Sequence, residues 1–312
     1  MRFSDEFFRE ETREGFYISR LMKCTWAAEM EILSVFEKIC EVYGIRYYLG
    51  CGSLLGAVRH GGYIPWDDDL DLWMPREELN KVAMIPREVF AGLGLELYTP
   101  YNQKKYENTI YHVSNGNRID LSKEFLQKYH GCPFHLGIDL VPLDHIPADP
   151  KLARAQEDLY LDACMLGFEW EEISEAERRR RYRSIIERTG GYEPEEWELP
   201  QRLFVIADSV MQLYDDETDR PLADMPVRLQ NPKICYQPEW FGEPMKLPFE
   251  QMQVSVPREY ERCIRMNYGE GYLTPIQNAG MHDYPFYRDQ YAQLIRWFED
   301  RGVEVPELYR EM

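Results

Sequence analysis

The sequence predicts an α+β fold, built on a mixed sheet with flanking helices. Apolar residues recur at helical intervals over residues 18–43, and Gly44 follows where a helix should end. Segments 93–98, 109–113 and 138–141 have the β-branched or alternating character of strands. Strands and helices alternate only loosely up to about residue 145, a pattern that fits an α/β or an α+β core.

The elements that follow the first helix are predicted from short local patterns. A strand, a glycine turn, a short helix and a second strand are expected at residues 45–49, 50–53, 54–59 and 69–74, with a helix from Pro75 onward. Extended stretches at residues 233–236 and 253–256 and helices at 257–266 and 289–299 close the chain. These segments complete the predicted mixed sheet and its covering helices.

The chain of 312 residues divides into three parts by composition. Residues 1–150 are expected to form the catalytic core. Residues 151–232 are charged and helix-forming and are interpreted as a mostly helical insert. Residues 233–312 are expected to complete the core and the substrate site. A run of arginines at residues 178–183 is interpreted as a solvated helix face paired with glutamates, with contact to a polyanion or to membrane headgroups as the alternative.

The net charge limits the class of partner. The chain has 36 Lys and Arg against 55 Asp and Glu, a formal charge of −19, so a nucleic-acid-binding surface is not expected. An anionic substrate must therefore be met locally, by metal ions or by placed arginines. The sequence predicts no transmembrane segment and no signal peptide, and its seven cysteines favour reduced thiols, so we expect a cytoplasmic protein.

Two aspartates predict a metal site. Asp69 and Asp71 are two residues apart, so on a strand both side chains point to one face. Adjacent carboxylates repel each other unless a cation lies between them, and oxygen ligands suit Mg²⁺. Asp67, Asp69, Asp71 and Glu78 also match the ligand spacing of an EF-hand loop, but Leu72 stands where that loop needs glycine, so we reject the calcium-loop interpretation.

A candidate phosphate site precedes this pair. Gly52 and Ser53 lie at the predicted turn between strand and helix, where free backbone N–H groups bind anions. Metal ions on the aspartates would neutralise the same phosphate from the other side, as in phosphoryl and nucleotidyl transfer. Asp139, on the strand candidate at residues 138–141, is the expected third carboxylate, and Asp144 is the competing candidate.

Three blocks of the sequence together resemble one family. They are GSLLGAVRHGGYIPWDDDLD at residues 52–71, GIDLVPLD at residues 137–144, and a C-terminal block that runs from Trp240-Phe-Gly242 to YGEGYLTP at residues 268–275. This pattern resembles the LicD family, phosphocholine transferases related to fukutin and fukutin-related protein. The C-terminal block departs from the family's usual Tyr-Gly-Asp-Tyr, and residues 150–232 match least.

The resemblance implies a fold, a cofactor and a set of site residues. It implies a nucleotidyltransferase-like fold and dependence on Mg²⁺, with Mn²⁺ as a substitute. Carried over by position, Asp69, Asp71 and Asp139 are the catalytic metal ligands, and Gly52 and Ser53 hold the donor phosphate. Arg59 either stabilises charge on the donor phosphates or pairs with a neighbouring aspartate. Trp66 and Trp240 are assigned to the donor, and with Tyr268 and Tyr272 they are candidates for an aromatic choline cage.

The predicted activity is that of a LicD-type phosphotransferase. A phospho-alcohol, phosphocholine before glycerol or ribitol phosphate, would move from a CDP-alcohol such as CDP-choline to a hydroxyl of a cell-surface glycan or teichoic acid precursor, and CMP would leave. Asp139 is the predicted acceptor of the hydroxyl proton. A nucleotidyltransferase that uses a nucleoside triphosphate is the alternative among enzymes. A non-catalytic module that binds a nucleotide-linked ligand is the alternative of another class.

Overall fold

The computed structural model describes residues 1–103, 106–216, 219–277 and 285–310. Its strands are β1 (Glu11–Arg13), β2 (Phe16–Ile18), β3 (Tyr48–Leu49), β4 (Asp71–Pro75), β5 (Glu96–Tyr98), β6 (Tyr111–Ser114), β7 (Gly137–His145), β8 (Leu222–Ala223), β9 (Met245–Phe249) and β10 (Met252–Val256). Its helices are α1 (Arg20–Tyr43), α2 (Cys51–His60), α3 (Arg76–Ala83), α4 (Arg87–Gly92), α5 (Lys123–Lys128), α6 (Pro150–Phe168), α7 (Glu175–Arg188), α8 (Gln201–Met211), α9 (Met225–Gln230), α10 (Tyr260–Tyr268) and α11 (Pro285–Glu299).

The central sheet is mixed, which confirms the predicted α+β class. Its strands are ordered β3-β4-β7-β6-β5, and β8 adds to the far end of β7. The pair β4 and β7 is parallel, whereas the other pairs of this sheet are antiparallel. Two hairpins, β1 with β2 and β9 with β10, lie outside it. The parallel pair forms the centre on which the candidate site is built.

The first helix follows its predicted bounds closely. Ser19 caps α1 by accepting a hydrogen bond from the backbone N–H of Met22 at 3.2 Å. Gly44 ends the helix in the left-handed conformation, with φ of 63°, and its N–H donates to the carbonyl of Cys40. Much of the helix surface is buried, including Trp26. The predicted helix over residues 18–43 is confirmed, beginning two residues later than expected.

The strand and helix predicted next are present with other bounds, because the strand is only Tyr48–Leu49 and the helix takes in most of the predicted turn at residues 50–53. The backbone N–H of Gly50 donates to the carbonyl of Asp71 at 2.9 Å, which joins the turn to the neighbouring strand. Helix α2 begins at Cys51, so Gly52 and Ser53 lie in its first turn. A glycine is required at position 56, because a Cβ there would lie 2.5 Å from the carbonyl oxygen of Gly62.

The strand predicted at residues 69–74 begins later than expected. β4 starts at Asp71, so Asp69 lies in the irregular segment before it and the prediction of both aspartates on one strand is wrong. Side chains rather than strand neighbours hold this segment. The carbonyl of Asp67 accepts from Trp26 Nε1 at 3.0 Å, and the carbonyl of Asp68 accepts from the Tyr287 hydroxyl at 2.9 Å.

The segment between β7 and β9 is mostly helical. Helices α6, α7 and α8 pack around their own apolar cluster, which includes Ala163, Leu203 and Phe204. The three-part division of the chain stays a prediction. The stretch predicted as extended at residues 233–236 forms only one bridge, between Tyr236 and Leu222, and β9 was not predicted.

The arginine run lies on α7 and faces glutamates. Four of its members pair with acidic side chains: Arg178 with Glu171, Arg179 with Glu175, Arg180 with Glu177, and Arg181 with Glu169. This arrangement agrees with the interpretation as a solvated, paired helix face. Within the described ranges, no helix is long and apolar enough to cross a bilayer.

Candidate active site

The parallel strands β4 and β7 bring two of the three predicted carboxylates side by side. Asp71 is the register partner of Asp139, so the two side chains emerge next to each other on one face of the sheet. The ladder extends one residue before β4, because the backbone N–H of Asp139 donates to the carbonyl of Leu70 at 2.9 Å. Asp69 precedes this point, and the structure therefore gathers all three residues at one end of the parallel pair.

The three carboxylates are at least partly accessible to solvent. Asp69 is exposed and Asp71 is half-buried, yet both are surrounded by protein. Burial raises the pKa of Asp69 well above its usual range, and repulsion from Asp71 and Asp67 adds to that effect. Burial likewise raises the pKa of Asp71, with repulsion from Asp139 next in importance. These shifts indicate that the protein supplies too little positive charge here to balance the carboxylates.

A fourth carboxylate lies over the start of α2. A Cβ on Gly52 would lie 2.7 Å from Oδ2 of Asp67, so a larger residue there would displace this carboxylate. Burial, followed by repulsion from Asp68, raises the pKa of Asp67 to about 7, against the attraction of Arg59. The site prediction did not include Asp67. Its position beside Gly52 depends on the loop around Pro65, which spacing along the chain does not reveal.

Ser53 joins the two halves of the site. Its side chain is buried, and Oγ accepts a hydrogen bond from the backbone N–H of Asp71 at 2.9 Å. The hydroxyl thus fixes the first turn of α2 against the start of β4. Binding of the donor phosphate by Gly52 and Ser53 stays a prediction.

Asp139 has a partner that sequence reasoning missed. Nδ1 of His112 lies 2.6 Å from Oδ1 of Asp139, and these two residues are register partners in the pair of β6 and β7. The imidazole lies over Gly137, where a Cβ would come within 2.1 Å of Nε2. Only the alternation of residues 111–113 could have indicated that His112 shares a face with Asp139, and the register of the two strands had to be known first.

A fifth carboxylate reaches the site from the far end of the helical segment. Oδ2 of Asp224 accepts hydrogen bonds from Trp73 Nε1 at 3.1 Å and from Cys51 Sγ at 3.5 Å. Its charge contributes to the raised pKa of Asp71. The sequence signal was an aspartate that caps a helix, since Oδ1 of Asp224 accepts from the N–H of Val227. The pattern predicts the cap of α9 but does not indicate that Asp224 lies near Asp71.

Arg59 lies in the last turn of α2. Its Nη1 donates to the carbonyl of Tyr272 at 3.1 Å, which ties the helix to the C-terminal block. Burial lowers the pKa of this guanidinium, and attraction to Tyr268, Glu14 and Asp67 opposes the change. The structure therefore places Arg59 within the electrostatic reach of Asp67, while its hydrogen bonds go to the carbonyl of Tyr272 and to Nδ1 of His60. Its role toward a donor stays a prediction.

The aromatic candidates differ in their access to solvent. Trp66 and Trp240 are buried, with Trp66 packed edge-on against Phe16 at 6.2 Å between ring centroids. Tyr272 is also buried, whereas Tyr268 is 42% exposed. Burial and the neighbouring Cys51, Asp67 and Asp71 raise the pKa of Tyr268, which places its hydroxyl beside the acidic residues. Of these four rings, that of Tyr268 is the one most accessible to a ligand.

The donor set is one that a hard divalent cation would take. Within the described residues, no three His, Cys, Asp or Glu side chains already stand close enough together to share one metal ion. Asp71 nevertheless lies within electrostatic reach of both Asp69 and Asp139, and all three offer carboxylate oxygens. Their chemistry fits Mg²⁺ or Mn²⁺ better than a softer metal.

The competing candidate Asp144 has a structural role. Its two carboxylate oxygens accept from Nε and Nη2 of Arg76 at 2.5 and 2.9 Å, and all of its side chain is buried. Nη1 of the same arginine donates to Asp208 of α8 at 2.9 Å. Asp144 therefore joins β7 to the helical segment. It lies at the opposite end of the strand from Asp139.

Comparison with known proteins identifies the segment that carries this site. Residues 44–130 match the family model described as LicD/FKTN/FKRP, nucleotidyltransferase domain. Residues 44–130 are therefore similar to the nucleotidyltransferase domain of the LicD family. The match includes Gly52, Asp69 and Asp71 of the LicD-family segment, whereas Asp139 lies beyond it.

Two curated relatives illustrate the extent of the similarity. The lipopolysaccharide cholinephosphotransferase LicD of Haemophilus influenzae is 31% identical over 124 residues, which are 39% of this chain and 44% of that protein. The human ribitol 5-phosphate transferase FKRP is 45% identical over 102 residues, which are 31% of this chain and 20% of that protein. The chain thus spans less than half the length of each of these relatives. Both are named as transferases of a phospho-alcohol.

Proposed function

We propose that this protein transfers a phospho-alcohol from a CDP-alcohol to a hydroxyl of a cell-surface glycan or teichoic acid precursor, in a metal-dependent reaction. The observation that carries the proposal is the group of neighbouring carboxylates, Asp69, Asp71 and Asp139, beside the first turn of α2. The similarity to two phospho-alcohol transferases supports the reaction class.

In the proposed reaction, the acceptor oxygen attacks the phosphorus that bears the alcohol. The P–O bond to CMP breaks, CMP leaves with the bond electrons, and the hydroxyl proton passes to Asp139. His112 holds Oδ1 of Asp139 at 2.6 Å and so orients the carboxylate for that step. Asp69 and Asp71 would hold Mg²⁺, which would supply positive charge to the phosphate oxygens.

The start of α2 would bind the donor phosphates. The helix begins directly after the turn at Gly50, so the free N–H groups of its first turn and the positive end of its dipole favour an anion there. Arg59 would stabilise charge on the phosphates as the bond to CMP breaks. Because the Asp67 carboxylate lies over Gly52, the donor would need bound cations to approach this turn.

Choline is the proposed head group, with glycerol and ribitol as alternatives. A quaternary ammonium binds to aromatic faces through cation–π attraction. Tyr268 offers an accessible ring beside Asp67 and Asp71, and the buried Trp240 lies in the same C-terminal block. A ribitol or glycerol head would depend on hydrogen bonds rather than on this ring.

Ligand-induced thermal stabilisation tests the proposal, because a ligand that binds only the folded state raises the melting temperature. CDP-choline, CDP-glycerol, CDP-ribitol, CTP and ATP would each be added with and without Mg²⁺. Asp71→Asn should lose the shift, whereas Asp158→Asn, a matched change at an exposed aspartate of α6, should retain it. A Mg²⁺-dependent shift with one CDP-alcohol supports the proposal and names the donor.

The other outcomes separate the alternatives. A shift with a triphosphate alone would favour a nucleotidyltransferase. A CDP-alcohol shift without CMP release in the presence of a glycan acceptor would favour a binding module. Asp139→Asn should abolish CMP release while the thermal shift with the donor persists, and CMP release at the normal rate would remove Asp139 as the base.

A further inference from the structure

The C-terminal helix α11 contacts both segments that carry the candidate carboxylates. Tyr287 and Gln290 lie one turn apart on this helix, so their side chains project from the same face. Tyr287 contacts the segment that leads to Asp69, and Gln290 contacts the segment that leads to Asp139. Neither residue belongs to the sequence blocks from which the site was predicted.

Tyr287 holds the segment before β4. Its hydroxyl lies 2.9 Å from the carbonyl oxygen of Asp68 and 2.5 Å from Oε1 of Glu29 on α1. The side chain is fully buried, and its ring stacks on Phe134 at 5.5 Å between centroids. Asp68 immediately precedes Asp69, so this contact acts one residue from a candidate ligand.

Gln290 holds the segment before β7 with two hydrogen bonds. Its Oε1 accepts from the backbone N–H of His135 at 3.0 Å, and its Nε2 donates to the carbonyl of the same residue at 2.9 Å. The side chain is buried. His135 lies two residues before β7 and four before Asp139, so the amide fixes the entry of the chain into this strand.

A buried carboxyl completes the contact of Tyr287. Glu29 lies between two tyrosines, since Tyr63 donates to its Oε2 at 2.8 Å. Burial raises the pKa of Glu29 well above its usual range, so the neutral acid is the favoured form. When Oε1 of Glu29 is protonated, it donates to the Tyr287 oxygen, and the Tyr287 hydroxyl can then donate to the carbonyl of Asp68. Each hydroxyl and carbonyl in this hydrogen-bond network thus has a partner.

We propose that α11 sets the separation between the Asp69–Asp71 segment and Asp139, with Tyr287 and Gln290 as positioning residues for the cation site. The ladder between β4 and β7 fixes the two strands only from Leu70 onward. Asp69 lies outside that ladder, and side chains hold the segment that carries it. The proposal rests on the proposed function insofar as the site binds a divalent cation.

The physical reason is the tolerance of a metal site. Ligands have to converge within about 0.5 Å of their working positions, and loss of a supporting hydrogen bond typically weakens metal binding by about 10-fold to 100-fold. The three carboxylates come from two segments that are not adjacent in sequence. One rigid helix that holds both segments limits their relative movement in a way that neither segment achieves alone.

Hydrogen exchange and Mn²⁺ binding test the proposal in the full chain. Tyr287→Phe removes only the hydroxyl, and Gln290→Met removes both bonds to His135. Tyr291→Phe is the matched control, because the Tyr291 hydroxyl lies on the same helix and donates to the carbonyl of Tyr309 at 3.1 Å, away from both segments. Exchange is measured without metal by mass spectrometry, and the dissociation constant of Mn²⁺ by electron paramagnetic resonance.

Tyr287→Phe should speed exchange at residues 64–71 and raise the Mn²⁺ dissociation constant about tenfold. Gln290→Met should speed exchange at residues 133–139 with a similar effect on Mn²⁺, and Tyr291→Phe should do neither. Unchanged exchange in Tyr287→Phe, or faster exchange with unchanged Mn²⁺ affinity, would overturn the proposal. If Gln290→Met unfolds, the conservative Tyr287→Phe decides alone. If the wild type binds no Mn²⁺, the metal part of the proposed function fails, and the exchange pattern alone decides whether α11 positions the segments.

Discussion

The two ends of the parallel pair β4 and β7 differ in whether their carboxylates are paired with a cation. At one end, Asp144 and Asp208 surround the buried guanidinium of Arg76, with contacts of 2.5 to 2.9 Å. At the other end, Asp71 and Asp139 stand side by side, and repulsion from Asp139 adds to burial in raising the pKa of Asp71. The ends are about 16 Å apart, five strand residues at about 3.3 Å each.

This difference assigns a structural role to the cluster around Arg76 and a binding role to the cluster around Asp71. The cluster around Arg76 is complete, because its partners come from three parts of the chain and a tyrosine, Tyr101, donates to Asp208 at 2.6 Å. Among the described residues, no arginine or lysine forms an ion pair with Asp71, and its neighbour Asp139 contacts the imidazole of His112. A protein that pairs its charges at one end of two strands has the means to do so at the other. The end without a buried arginine is therefore the one to which we assign binding.

Removing the cation from the complete cluster should have the largest effect on stability. Arg76→Met leaves the buried Asp144 and Asp208 without their cation, and we expect the free energy of unfolding to fall by about 3–5 kcal/mol. Urea denaturation at pH 7 measures this change. A loss below about 1 kcal/mol would mean that water reaches these carboxylates, and the two ends would then not differ in kind.

Removing a charge from the cluster around Asp71 should instead raise the free energy of unfolding. Asp71→Asn relieves repulsion with Asp139 and should raise the free energy of unfolding by about 1 kcal/mol in the presence of a chelator. Thermal and urea unfolding measure it, with Asp158→Asn as a control for the general change of net charge. A destabilised Asp71→Asn would indicate that this carboxylate is already balanced by the protein.

Glu78, outside both clusters, extends the comparison to the pH dependence of stability. Glu78 is buried and accepts from Arg46 Nε and Lys81 Nζ, each at 2.8 Å. Burial alone would raise its pKa, but these hydrogen bonds lower it below its usual range. Such a group stabilises the folded state above its unfolded pKa of about 4.5, and the contribution is lost as the pH falls through the folded pKa.

Glu78→Gln should therefore cost about 1 kcal/mol at pH 7, and the difference from the wild type should shrink as the pH falls below about 4.5. Unfolding of both proteins between pH 3 and 8 measures it. A difference that stays constant over this range would show that packing, rather than the ionised hydrogen bonds, sets the cost.

Glu29 gives the smallest expected effect. If this buried carboxyl is neutral, glutamine reproduces its hydrogen bonds, since the amide N–H donates to Tyr287 and the carbonyl accepts from Tyr63. Glu29→Gln should then change the free energy of unfolding by less than about 0.5 kcal/mol. A loss above about 1.5 kcal/mol would indicate that Glu29 is ionised. The protein would then bury another negative charge besides those around Asp71.

Much of the fold could be predicted because its signals are local. The periodicity and the glycine of α1, the turn into α2 and the alternation of β4 each depend on residues close in sequence. The start of β4 could not be predicted. The side chains of Trp26 and Tyr287, which are distant in sequence, hold the preceding segment, and the strand therefore begins at Asp71 rather than at residue 69. The hairpin strand β9 was missed because Pro248 and Lys246 interrupt its apolar pattern.

The candidate site was predicted where a motif lies within one segment. Asp69, Asp71, Gly52 and Ser53 belong to one such segment, and Asp139 could be added from its own strand. His112 and Asp224 could not, because each reaches the site through a pairing of elements distant in sequence. The assignment of Asp144 was also beyond the sequence, since its partner Arg76 becomes visible only when β4 and β7 lie in register.

The position of α11 along the chain has a consequence for biosynthesis. Tyr287 contacts Glu29 across 258 residues and Asp68 across 219 residues, and Gln290 contacts His135 across 155 residues. The ribosome therefore releases every candidate ligand long before it releases the helix that holds their segments. On a growing chain, the residues of β4 and β7 are therefore present before Gln290, and the contacts of α11 with their segments can form only after residue 290 has emerged.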